Sequence, residues 1–70
     1  MKLDYAKAII DIRVKLDLSQ MALAELLGVS FTSVNRWENG KYSPTKLAKK
    51  KIELLCNENN IQMEVKGHEW

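Results

Sequence analysis

The stretch L-S-Q-M-A-L-A-E-L-L-G-V-S-F-T-S-V-N-R-W-E-N-G-K, residues Leu18 to Lys41, decides the fold of this chain. Ser19 is an N-cap candidate, because its hydroxyl can accept from a free amide two or three residues on. Behind it Leu23, Ala24 and Leu27 recur at helical spacing until Gly28 stops the pattern. Gly28 tolerates the left-handed backbone of a sharp corner, Val29 supplies an apolar plug, and Ser30 offers the next cap. The corner therefore takes about three residues. A second helical pattern runs from Ser30 to Asn39 and ends at Gly40.

The flanks extend the same logic. Asp4 can cap a first helix along which Tyr5, Ile9, Ile12 and Leu16 form an apolar stripe. Ser43 followed by Pro44 predicts the start of a fourth helix, since proline at the first helical position loses no hydrogen bond. Ala48, Ile52, Leu55 and Cys56 gather on one side of it, with Lys46, Lys49 and Lys50 on the other, and residues 57–60 end it. Ile61, Met63 and Val65 alternate with Gln62, Glu64 and Lys66, the period of a strand, which needs a partner that no other part of the chain supplies. The expected organisation is an all-α domain over 1–58 with a tail over 59–70, a short C-terminal strand or a frayed end being the two alternatives for the tail.

Size and composition limit the function. Seventy residues make one domain that buries only about 60% of its unfolded surface, which favours a surface task over a deep active site. Apolar residues at 46% and charged residues at 29% are the balance of an ordinary globular protein. A single Cys56 and a single His68 form neither a disulfide nor a metal set of the usual spacing, so no metal and no cofactor is expected. No apolar run approaches the ~20 residues of a membrane span, and no signal-peptide pattern opens the chain; a cytoplasmic location and no membrane partner are expected. An enzyme is disfavoured, because no Gly-rich phosphate loop and no catalytic set of side chains can be assembled, and no small-molecule substrate is evident.

The charge is polarised. Net charge is +2, yet residues 30–51 hold six cations (Arg36, Lys41, Lys46, Lys49, Lys50, Lys51) against Glu38 alone. Such a distribution suits a surface that meets phosphates, and also a merely solvated lysine face. The helix from Ser30 narrows the choice. Projected at about 100° per residue, Ser33, Val34 and Trp37 fall on one side and Phe31, Thr32, Asn35, Arg36 and Asn39 on the other. The second face carries a guanidinium, two amides, a hydroxyl and a ring, with no acid. Arginine can pair a guanine edge, asparagine an adenine edge, and threonine or phenylalanine can touch a thymine methyl. Phe31 also has the alternative of contacting a neighbouring chain.

The quoted stretch closely resembles the helix-turn-helix of the Cro/C1 (XRE) family of bacterial and phage repressors: Gln20 opening the second helix, Ala24 within it, Gly28 in the turn, Val34 in the reading helix, then W-E-N-G. The looser resemblance spans about Tyr5 to Cys56. It implies a compact four- to five-helix, lambda-repressor-like domain that binds double-stranded DNA in a sequence-specific way and regulates transcription, as a homodimer on a two-fold operator. By the same resemblance Phe31, Thr32, Asn35 and Arg36 meet bases, whereas Ser19, Gln20, Ser30, Asn39, Lys41 and Tyr42 hold phosphates. Arg13 and Glu38 are implied as a partly buried structural ion pair. Asp17 stands where glycine or asparagine is common, and Met21 and Ala22 replace a polar pair, so the capping box is absent. Some Cro proteins pair subunits through a C-terminal strand, a role open to residues 61–65. Two other purposes are weighed: a DNA-targeting module of a restriction-modification, mobile-element or toxin-antitoxin system or of a larger DNA-modifying protein, and a protein-interaction adaptor using Phe31 and Met21.

Overall fold

The computed structural model describes residues 3–65. Four helices follow one another: α1 (Tyr5–Leu16), α2 (Gln20–Leu27), α3 (Phe31–Glu38) and α4 (Lys46–Glu58). Each begins on a side-chain cap. Asp4, Ser19, Ser30 and Thr45 accept from the amides of Lys7, Ala22, Ser33 and Ala48, satisfying one orphan donor per helix.

Three of the helices also end alike. Asp17 (φ +55°), Gly28 (φ +73°) and Asn60 (φ +56°) take the left-handed conformation. The amide of the next residue then reaches back five positions: Leu18 to Arg13 at 2.9 Å, Val29 to Ala24 at 2.9 Å, and Ile61 to Cys56 at 2.8 Å. This is the Schellman arrangement, in which an apolar residue after the left-handed one folds back onto its helix. Leu18, Val29 and Ile61 are all partly buried against the core. Aspartate and asparagine can stand in for glycine because their short polar side chains tolerate this region better than other residues do. At Gly28 the left-handed backbone is the constraint, since a Cβ there would meet only the end of the Lys51 side chain, 3.4 Å away.

The core joins all four helices. Ala8, Ile9, Ile12, Leu23, Ala24, Leu27, Val34, Trp37, Ala48, Ile52 and Cys56 are buried. Burial of each large aliphatic among them contributes about 1.5–3 kcal/mol. The apolar stripes of α1 and α2 are as their spacing predicts, with Tyr5 and Leu16 half-buried at the ends of α1. Packing of α3 against both α1 and α2 fixes which of its faces looks outward. The Cys56 thiol is sealed in this core, and loss of solvent pushes its pKa up.

Two expectations are corrected. The fourth helix starts at Lys46 with Thr45 as its cap, not at Ser43 and Pro44. Pro44 is buried ahead of the helix, so its ring serves as an apolar anchor for the preceding loop while the Thr45 hydroxyl takes the capping role. The segment 61–65 forms no strand among the described residues; it makes one antiparallel bridge, Leu3 with Val65, and the Asp4 amide donates to the Glu64 carbonyl at 2.8 Å. The partner demanded by the alternation is thus the chain's own N-terminal segment. Ile61 and Met63 meanwhile rest on the core. The remainder of the tail, with Lys66 and His68, lies outside the described residues.

Tyr5 ties α1 to α4. Its hydroxyl donates to Glu53, and the Lys49 ammonium lies 5.2 Å from its ring centre. Burial, aided by the Glu53 carboxylate, pushes the Tyr5 pKa up to about 12. A raised phenol pKa stabilises the fold fully below the unfolded value near 10 and is lost as pH rises toward 12. Tyr5→Phe should therefore lose less stability than the parent between pH 10 and 12 in denaturant titrations; parallel curves would count against the contact. Ile61→Ala should lower stability by about 1–2 kcal/mol for a half-buried aliphatic. That loss should be independent of protein concentration, as measured by urea unfolding at two concentrations; a loss seen only at high concentration would indicate pairing between chains.

Candidate nucleic-acid interface

The outward side of α3 is built by what its inward side buries. Val34 and Trp37 enter the core and Ser33 is half-buried, bonded through its amide and hydroxyl to Ser30. Helical geometry then projects Phe31, Thr32, Asn35, Arg36 and Asn39 away from the bundle, and all five are exposed. Phe31 keeps 44% of its surface accessible, so its ring is not sealed inside the monomer.

The one acid of α3 is removed from that surface. Arg13 Nη1 lies 2.9 Å from both carboxylate oxygens of Glu38, and Gln20 Nε2 donates to Oε1 at 2.8 Å. The Glu38 side chain is only 9% exposed. Arg13 also donates from Nε to the Leu18 carbonyl at 3.0 Å, so one guanidinium joins α1, the corner before α2, and α3. Every buried side-chain nitrogen and oxygen among the described residues has a partner.

Cations are spent unevenly. Lys51 donates to the Leu27 carbonyl at 3.1 Å, where it closes the C-terminus of α2 and supports the turn at Gly28. Lys49 is occupied over Tyr5. Lys41, Lys46 and Lys50 are exposed and form no ion pair among the described residues. Arg36 lies over the ring of Tyr42, 5.2 Å from its centre, in the loop after α3.

Two short helices, a three-residue corner and an outward α3 face free of exposed carboxylate are the parts of a known DNA-binding unit. The chain matches the family model described as Helix-turn-helix over residues 9–62. It belongs to the Cro/C1-type helix-turn-helix family. No curated protein and no solved structure matches it. Helix-turn-helix domains of this family bind DNA, and this domain is a DNA-binding one. α2 and α3 are the two helices of the motif, and α1 and α4 hold them in place.

The residues singled out from sequence fall into distinct settings within this helix-turn-helix domain. Phe31, Thr32, Asn35 and Arg36 share the exposed side of α3. Ser19 and Ser30 are exposed and already use their hydroxyl oxygens as caps; the Ser30 hydroxyl is also hydrogen-bonded to that of Ser33 at 3.0 Å, whereas the Ser19 O–H is left to donate. Gln20 is half-buried on Glu38, with one amide hydrogen unspent. Asn39 caps the C-terminal end of α3, and Lys41 and Tyr42 stand in the loop beyond. Sequence reasoning did not find the Gln20–Glu38 bond, the Lys51 tie or the Arg36–Tyr42 cation–π contact. The first two join residues 18 and 24 positions apart, where no periodicity operates.

No helix of the described residues is long and apolar enough to cross a membrane. No group of three or more His, Cys, Asp or Glu among them is placed to hold a metal ion.

Glu38→Ala should destabilise the domain by about 2 kcal/mol, because it strands the partly buried Arg13 and also costs Gln20 its acceptor. Arg13→Met combined with Glu38→Leu should recover most of that loss, since both charges leave together. Thermal and urea unfolding of the single and double variants decide this; a neutral Glu38→Ala would show that the pair does not hold α3.

Proposed function

We propose that the domain recognises particular sequences of double-stranded DNA and acts as a repressor-like regulator of transcription by occupying an operator. The observation that carries this reading is the outward side of α3, where base-reading side chain types stand exposed while the helix's only carboxylate is neutralised beneath them. A free carboxylate there would repel phosphates; a neutralised one lets the helix approach the groove. Phe31, Thr32, Asn35 and Arg36 read base edges, with Arg36 suited to the O6 and N7 of a guanine. Ser19, Gln20, Ser30, Asn39 and Lys41 hold phosphates and set register without reading sequence.

A homodimer on a two-fold site fits the family, with two copies of α3 entering successive major grooves about 34 Å apart. Pairing through residues 61–65 is left out of the proposal, because Ile61 and Met63 lie against the core of their own chain. The domain supplies no chemistry of its own, and its task is occupancy.

Selection of bound duplexes from a random pool, followed by affinity measurements at several salt concentrations, tests this reading. Arg36→Ala should lower discrimination at one base pair by about 1–3 kcal/mol. Lys41→Ala should instead weaken binding to every duplex alike and reduce the salt slope by about one. Failure of all duplexes to bind at low ionic strength, or equal losses on selected and random DNA for Arg36→Ala, would refute the assignment.

A further inference from the structure

Arg36 is the strongest base-reading candidate on α3, yet an exposed arginine is ordinarily a mobile one. Here it is not left alone. The loop after α3 leaves Asn39, turns at Gly40 with φ +75°, and is anchored two residues beyond Tyr42 by the buried Pro44. This path brings the ring of Tyr42, itself 57% exposed, under the Arg36 guanidinium at 5.2 Å. The nearest acid in sequence, Glu38, is already satisfied by Arg13 and Gln20. No ion pair or side-chain hydrogen bond involves Arg36 among the described residues.

The chemistry of that contact matters. A salt bridge would consume the N–H donors that a guanine edge requires, whereas a cation–π contact holds the cation by its charge over the ring without a carboxylate acceptor to occupy those donors. The contact with the ring also restricts the long side chain before any base is met, which lowers the ordering cost of a two-pronged contact.

We propose that Tyr42 is a positioning residue for Arg36: its ring holds the guanidinium on the outward side of α3, and its contribution is to base discrimination more than to phosphate binding. This rests on the reading of Arg36 as a base-contacting residue. It reassigns Tyr42, whose resemblance-based role is a phosphate contact through the hydroxyl. The two roles differ in which part of the side chain acts, the ring or the O–H.

The test uses the whole chain and duplexes obtained by selection. The readout is the ratio of affinity for a selected duplex to that for the same duplex altered at the base pair where Arg36→Ala loses preference. Tyr42→Ala should lower that ratio about 2- to 5-fold, the range expected for losing a cation–π contact between exposed side chains. Tyr42→Phe should restore it, and Tyr42→Leu, which keeps apolar bulk without a π face, should not. In the Arg36→Ala background, Tyr42→Ala should cause no further fall in the ratio. An unchanged ratio in Tyr42→Ala, a Tyr42→Phe variant as impaired as Tyr42→Ala, or additive losses in the double variant would each overturn the positioning role while leaving Arg36 as a reader. If Arg36→Ala shows no preference to lose at any base pair, the underlying reading fails, and the role of Tyr42 fails with it.

Discussion

The contact between Arg13 and Glu38 is the constraint on which the rest of this small domain depends. It joins elements that the core alone holds only by non-directional burial: α1 supplies the guanidinium, α3 the carboxylate, and Gln20 of α2 the remaining donor. Apolar packing tolerates small rotations of a helix about its axis, but a carboxylate held by two donors from different helices does not. The rotational setting of α3 is thereby specified, and with it the set of side chains that face solvent. Charge bookkeeping follows from the same geometry. Glu38 is retired from the surface electrostatically as well as sterically, so the positive excess of residues 30–51 is not cancelled where α3 is exposed.

Helix termini carry the second part of the architecture. Asp17, Gly28 and Asn60 do the same conformational work, and each is followed by a residue that plugs the core. The chain thus turns between α1 and α2 and between α2 and α3 with almost no slack, because the residue that leaves each helix is tied back to it. The Lys51 ammonium adds a cross-tie from α4 onto the last carbonyl of α2, that of Leu27, beside Gly28. This accounts for a lysine that counts toward the basic segment in composition but does structural work in space.

Much of this was legible in the sequence. The caps Asp4, Ser19 and Ser30, the stripes Ile9–Ile12 and Leu23–Leu27, and the outward set on α3 all follow from local rules that operate within one or two turns. The start of α4 was not. Ser43, Pro44 and Thr45 offer competing signals within three residues, and tertiary burial of the proline decided between them. Asp17 reads as a departure from the usual glycine, yet its backbone does what a glycine would do. For the tail, alternation pointed to a strand, yet 61–65 makes only one bridge, to Leu3, which joins the two ends of the described residues, a pairing that no local pattern encodes.

The loop between Asn39 and Thr45 is the longest connection between helices, and the buried Pro44 pins its far end. Together with the five outward residues of α3 it forms a region whose side chains add little to the core. The outward positions of α3 can be exchanged as a block while Val34, Trp37, Glu38, Gly40, Pro44 and Thr45 are kept. The scaffold is therefore a modular one: new recognition could be installed on it by rewriting a handful of codons, at small cost to folding.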